Sequence, residues 1–250
     1  MTISLENPWT VNWGATESSR SSLFCLPYAG GTSLIFQPWT AYLPKEMEII
    51  AIELPGHGGR FREQLIQSLP KLISIMGPAI APFLQKPYAL FGHSLGATLS
   101  FELCRWLRLQ RLRMPDHLFV SGRGAPQCSI SRTATVLESD GEFIAYLQRL
   151  GGTPKEVLDD EEMLRLILPV LRADFALSEN YRYRSEPPLD CPITAIGGLD
   201  DEETSGGRLR EWGKQTTRAF NECWLPGGHF FLNSSRRELL KILFETALGQ

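Results

Sequence analysis

No run of apolar residues in this chain approaches the ~20 needed to cross a bilayer, and no basic cluster marks a membrane surface or a nucleic acid. The formal net charge is only −3, too small to act as an electrostatic signature for nucleic acid. Cysteine is sparse and badly placed for either disulfides or zinc. The five residues (Cys25, Cys104, Cys128, Cys191 and Cys223) are odd in number, scattered, and never in a C-x-x-C pair, so buried free thiols are expected and no metal site is. The opening Met1–Glu6 has neither a basic n-region nor an apolar h-region. A secretory leader is therefore not expected, and a soluble, cytoplasmic, monomeric protein is. Histidine is scarcer still, with four in the chain.

What remains is ordinary globular material. At 250 residues, 43% hydrophobic and 21% charged, the chain suits a single α/β domain over residues 1–250. Continuous apolar runs at Ser21–Leu26, Glu48–Leu54, Tyr88–Phe91 and Asp116–Ser121 alternate with helical patterns, which argues for a mostly parallel sheet with helices on both faces. Trp9–Trp13 reads as a short edge strand or a packed tail, and Thr32 or Ser33 as the cap of a helix carrying Ile35, Phe36, Trp39 and Leu43. An interrupted helix is expected over 65–84, and another from Leu95 to about Arg111. From about 125 to 188 the rhythm changes to helix alone, with candidate helices at Glu142–Leu150, Asp160–Leu171 and Ala173–Tyr183, so an inserted helical lid is expected. Strands resume at Cys191–Ile196 and Asn221–Leu225, separated by a helix near 207–217 and followed by an amphipathic terminal helix.

The most informative stretch is Gly92-His-Ser-Leu-Gly96, a G-x-S-x-G pentapeptide between a strand run and a helical pattern. That context defines a nucleophile elbow. The turn is so sharp that backbones nearly touch, which explains glycine at both ends. Ser94 then projects its hydroxyl at a helix N-terminus, where unpaired amides favour a developing oxyanion.

A serine hydroxyl needs a base, and the base needs an acid to hold its tautomer. His117 opens a strand at the wrong end of a parallel sheet, and His93 should point away from Ser94. His57, in a glycine turn after a strand, is the weaker remaining candidate; His229, in the Gly227-Gly-His turn after a late strand, is the stronger. Asp200 and Asp201 both end the preceding strand, and periodicity does not choose between them. The bare backbone of Pro27-Tyr-Ala-Gly-Gly31 suits a second oxyanion donor, Ala29, beside the amide of Leu95.

With these residues in hand, the chain resembles the type II thioesterases that accompany non-ribosomal peptide and polyketide synthases, a group that includes medium-chain fatty acyl thioesterases. The resemblance runs from about Leu23 to Leu248. It rests on Cys25-Leu-Pro-Tyr-Ala-Gly-Gly31, Glu53-Leu-Pro-Gly-His-Gly58 with Arg60, and Phe91-Gly-His-Ser-Leu-Gly96. Leu150-Gly-Gly-Thr-Pro154, Leu168-Pro-Val-Leu-Arg-Ala-Asp174, Gly198-Leu-Asp-Asp201 and Gly227-Gly-His-Phe-Phe-Leu232 complete it. The resemblance implies an α/β-hydrolase fold and places the acid at Asp201, by register from Gly198. His57 departs from it, standing where relatives often carry arginine. The implied activity is hydrolysis of acyl groups from the phosphopantetheine arm of a carrier protein, with the lid gating an acyl chamber. No cofactor of the chain's own is implied, because the arm belongs to the partner. A medium-chain fatty acyl thioesterase, a free-standing small-ester esterase or acyltransferase, and a non-catalytic carrier-protein binding module are the rivals.

Overall fold

The computed structural model describes residues 7–128 and 139–249. Its frame is a seven-stranded sheet with spatial order β1-β3-β2-β4-β5-β6-β7. These are β1 (Thr10–Trp13), β2 (Ser21–Leu26), β3 (Met47–Ile52), β4 (Tyr88–His93), β5 (His117–Ser121), β6 (Ile193–Gly198) and β7 (Phe220–Leu225). Among the described strands only β1 runs antiparallel, along β3, so the Trp9–Trp13 stretch contributes its edge strand from Thr10. All other pairs are parallel.

Strand alternation divides the core into two layers. Along β2, Phe24 and Leu26 join a cluster with α1 (Leu69–Ile80) and α2 (Leu95–Leu109), whereas Leu23 and Cys25 join one with α7 (Arg236–Ala247) on the opposite face. A sheet buried on both faces shows unbroken apolar strands, because the period-2 signal vanishes when both sides are dry. Chain order reverses beside β2, with β3 on one side and β4 on the other. In open parallel sheets ligands collect at the carboxyl edge of such a switch point.

Between β5 and β6 lies the helical insertion: α3 (Asp140–Leu150), α4 (Lys155–Leu158) and α5 (Glu161–Glu179). A capping box between Ser139 and Glu142 starts α3, and the left-handed Gly151 ends it. The insertion has its own small core, in which Phe143 packs edge-on to Phe175 at a 5.4 Å centroid separation.

Several boundaries differ from expectation. The helices expected at 160–171 and 173–183 are one continuous α5, with Pro169 inside it. The helix expected over 65–84 is shorter: Pro70 lies in its first turn, where a missing N–H costs nothing, and a short 3₁₀ turn follows it at Ala81–Phe83. The Thr32-capped segment Ser33–Tyr42 and the segment Arg210–Gln215 are 3₁₀ rather than α. The expectation for the Met1–Glu6 stretch falls outside the described residues, as does part of the expected lid at 129–138. All five cysteines are free: Cys25, Cys104 and Cys191 are buried, Cys128 and Cys223 half-buried. No helix among the described residues is long and apolar enough to cross a membrane.

His117, as expected, opens β5 at the edge remote from the elbow, with its Nε2 2.8 Å from Thr194 Oγ1. Burial pushes its pKa down to about 4, against about 6.5 in an unfolded chain. The unfolded state therefore binds the extra proton first, and stability present above about pH 7 is lost as pH falls toward 4. His117→Gln keeps a hydrogen-bonding group toward Thr194 and does not titrate. Urea melts across that range should show wild type losing on the order of 3 kcal/mol relative to the variant. A pH-independent difference would contradict this reading of His117.

Candidate active site

The elbow begins with a steric constraint. A Cβ on Gly92 would overlap the backbone of Gly96 and Ala97, and one on Gly96 would overlap the carbonyls of Leu26 and Pro27. The start of α2 is thus pressed against the end of β2, where only hydrogen fits. Ser94 between them takes φ 55°, ψ −112°, a conformation that costs non-glycine residues about 1–3 kcal/mol. Its amide is tied to the Ser121 carbonyl at 2.8 Å, which offsets part of that strain.

From Ser94 a hydrogen-bonded chain runs across the carboxyl edge. Ser94 Oγ lies 3.0 Å from His229 Nε2, and His229 Nδ1 lies 3.0 Å from Asp201 Oδ2. The second oxygen of Asp201 accepts the amide of Glu203 at 3.0 Å, which fixes the carboxylate's orientation. Asp201 is buried, whereas Asp200 is exposed and gives only its backbone amide to Gly227. With His229 Nδ1–H donating to the carboxylate, Nε2 is left as an acceptor facing the serine hydroxyl.

His93 makes no hydrogen bond to the Ser94 hydroxyl and has a use that was not foreseen. Its Nε2 donates to the His229 backbone carbonyl at 2.9 Å, and its Nδ1 accepts from Ser121 Oγ at 2.9 Å. Burial, and secondarily the nearby His229, holds its pKa well below the usual value, so the neutral tautomer that both bonds require is kept. The sequence signal was present only as the residue before Ser94.

His57 is not a second base for Ser94. Both ring nitrogens are committed: Nε2 to Asp174 Oδ2 at 2.8 Å, Nδ1 to the Pro55 carbonyl at 3.1 Å. Burial alone would lower its pKa, but the hydrogen bond and charge of Asp174 outweigh that and raise it. Exposed pairs such as Arg165–Glu161 contribute about 0.3–0.5 kcal/mol. Removing one partner of a buried pair costs about 3–5 kcal/mol, so His57–Asp174 belongs to the structurally consequential class. The two residues are 117 positions apart, and nothing in the sequence links them.

Ala29, Ser94, Leu95 and His229 open onto one cavity of about 610 Å³, roofed by apolar insertion residues including Leu150, Val157, Ile167 and Leu171. The amide of Leu95 is the first of α2 and has no acceptor within the helix. The Pro27–Gly31 loop, pressed against the same helix start, presents Ala29 from the other side. Among the described residues, no group of three or more His, Cys, Asp or Glu is arranged to hold a metal ion.

A nucleophile-elbow serine in a Ser–His–Asp chain at the carboxyl edge of a parallel sheet defines the serine-hydrolase arrangement of the α/β-hydrolase fold. Comparison with known proteins narrows the class. Residues 21–246 match the thioesterase domain family. The gramicidin S biosynthesis protein GrsT of Aneurinibacillus migulanus is 42% identical over 241 residues, covering 96% of this chain and 94% of its own. LgrE of Brevibacillus parabrevis, named a linear gramicidin dehydrogenase, is 40% identical over 241 residues, covering 95% and 92%. Among solved structures, the type II thioesterase BorB from the borrelidin biosynthetic cluster superposes with a TM-score of 0.88 at 35% identity, covering 96% of this chain and 98% of its own. The chain belongs to the thioesterase domain family, hydrolases that act on thioesters.

The elbow's dependence on two bare glycines is open to direct measurement. Gly96→Ala forces a methyl into backbone carbonyls that belong to β2 and its loop, so relief requires separating α2 from the sheet. Chemical denaturation should show a loss of at least about 3 kcal/mol, the upper end of overpacking costs. A loss below about 1 kcal/mol would mean that the two elements are not wedged.

Proposed function

We propose that this protein is a type II, editing thioesterase that hydrolyses acyl groups from the phosphopantetheine arm of carrier proteins in peptide or polyketide biosynthesis. The observation that carries the reading is the hydrogen-bonded chain from Ser94 through His229 to Asp201, opening onto an apolar cavity roofed by the insertion. The names of GrsT, a gramicidin S biosynthesis protein, and BorB, a type II thioesterase from a biosynthetic cluster, support it.

In this reading Ser94 Oγ attacks the thioester carbonyl while His229 Nε2 takes its proton. The amides of Ala29 and Leu95 stabilise the oxyanion. Collapse of the tetrahedral intermediate breaks the C–S bond, and the arm's thiolate leaves with the proton from His229. A water, deprotonated by His229, then attacks the Ser94 ester, and a carboxylic acid departs as Ser94 recovers its proton. Asp201 holds the His229 tautomer and stabilises its imidazolium throughout. Water is the only co-reactant; the phosphopantetheine belongs to the partner. The insertion acts as the lid of the acyl chamber.

Three variants and two substrates test this. On an acylated carrier protein, followed by intact mass, wild type should release the acyl group and Ser94→Ala should lose about 10⁴–10⁶ in rate while remaining folded. Asp201→Asn should lose about 10²–10⁴ because an amide favours the wrong tautomer, and the exposed Asp200→Asn less than about tenfold. A Ser94→Ala protein retaining a tenth of wild-type turnover would sink the nucleophile assignment. Faster hydrolysis of a small nitrophenyl ester than of the carrier-bound thioester would point to a free-standing esterase instead.

A further inference from the structure

Helix α5 of the insertion meets Gly30 of the Pro27–Gly31 loop through Leu171 and through Asp174. Leu171 packs on Gly30, whose φ of +78° and bare Cα leave no room for a methyl between them. One turn later, Asp174 Oδ2 accepts the Gly30 amide at 2.7 Å together with His57 Nε2 at 2.8 Å. Ala29 itself packs against both the sheet core and the core of the insertion. Asp174 is 2% exposed and His57 3% exposed.

A helix can be docked by apolar contact alone, as Leu171 does. A buried carboxylate is a costly way to do it unless its charge is compensated. What the carboxylate adds is direction: it fixes one N–H, that of the peptide joining Ala29 to Gly30. The Gly31 amide is meanwhile bound to the Tyr28 carbonyl at 2.9 Å, so the turn is pinned on both sides of its centre. We propose that Asp174 is a positioning residue for the oxyanion hole, holding the Gly30 amide so that the neighbouring Ala29 N–H stays aimed at the developing oxyanion. His57 Nε2, 2.8 Å from the same oxygen, gives the buried carboxylate its second partner. The inference rests on Ala29 being an oxyanion donor, as read above. It makes α5 part of the reaction apparatus.

The test separates alignment of a donor from support of a helix. Removing an oxyanion donor outright costs about 10²–10³ in kcat, and misaligning it should approach the lower figure. Asp174→Ala is expected to lower kcat about 30–100-fold with KM within twofold. Affinity for an acyl trifluoromethyl ketone, whose adduct with the serine carries the oxyanion, should fall by the same factor. Affinity for the matching acyl-pantetheine amide, a ground-state analogue, should stay within twofold. Asp174→Asn retains an acceptor for Gly30 but not the charge-assisted bond, and should lose about three- to tenfold in kcat at unchanged KM. If Asp174→Ala does not fold, the Asn variant carries the test. Overturning results are a wild-type kcat in either folded variant, or a loss expressed in KM and in amide affinity, which would reduce Asp174 to a support for the acyl chamber. Wild-type protein without thioester turnover would overturn the underlying reading and this one with it.

Discussion

Everything at the carboxyl edge depends on how closely the start of α2 approaches the end of β2. With hydrogen alone on Gly92 and Gly96, the two backbones meet, and Ser94 is left in a conformation that a side-chain-bearing residue rarely adopts. The strain is held because the surroundings over-determine it: the Ser94 amide is bound to β5, and α2 is buried along most of its length. The same contact brings the first loop beside the serine. Ser94, the first helical amide and Ala29 are therefore positioned by one steric event at the switch point of the sheet, rather than by three separate loops.

Two buried histidines then stabilise that edge, with pKa values displaced in opposite directions. His93 is kept neutral by burial and uses both nitrogens to join β5 to the backbone of His229. His57 has a carboxylate and a carbonyl on its two nitrogens, a setting that favours the protonated ring, and joins the β3 loop to α5. The first fixes where His229 sits; the second fixes where α5 meets the Pro27–Gly31 loop. Neither could exchange roles, because one faces an acceptor and a hydroxyl and the other faces two acceptors.

The sequence made the parallel sheet, the elbow and the late histidine legible, because each has a local signature: apolar runs, G-x-S-x-G, and a Gly-Gly-His turn after a strand. Asp201 needed more than periodicity, since two adjacent aspartates leave the same strand; the register of the resemblance pointed to it, and in the structure it is the buried one, bonded to His229. The unbroken α5 was misread as two helices for a physical reason. From Ala173 to Leu177 every residue is buried, because this half of the helix is covered on all sides, so the 3.6-residue alternation that marks a helix disappears there. The His57–Asp174 pair was invisible because its partners come from segments more than a hundred residues apart, and the resemblance that included both segments gave neither residue a role.

The central claim is that acyl groups pass through an ester on Ser94. Wild-type protein mixed for milliseconds with an acylated carrier protein, quenched in acid and digested, should carry the acyl mass on the peptide containing Ser94 and on no other, and the adduct should decay as free acid appears. An adduct on a different residue, or free acid forming with no acyl-enzyme detectable at any time, would contradict the account.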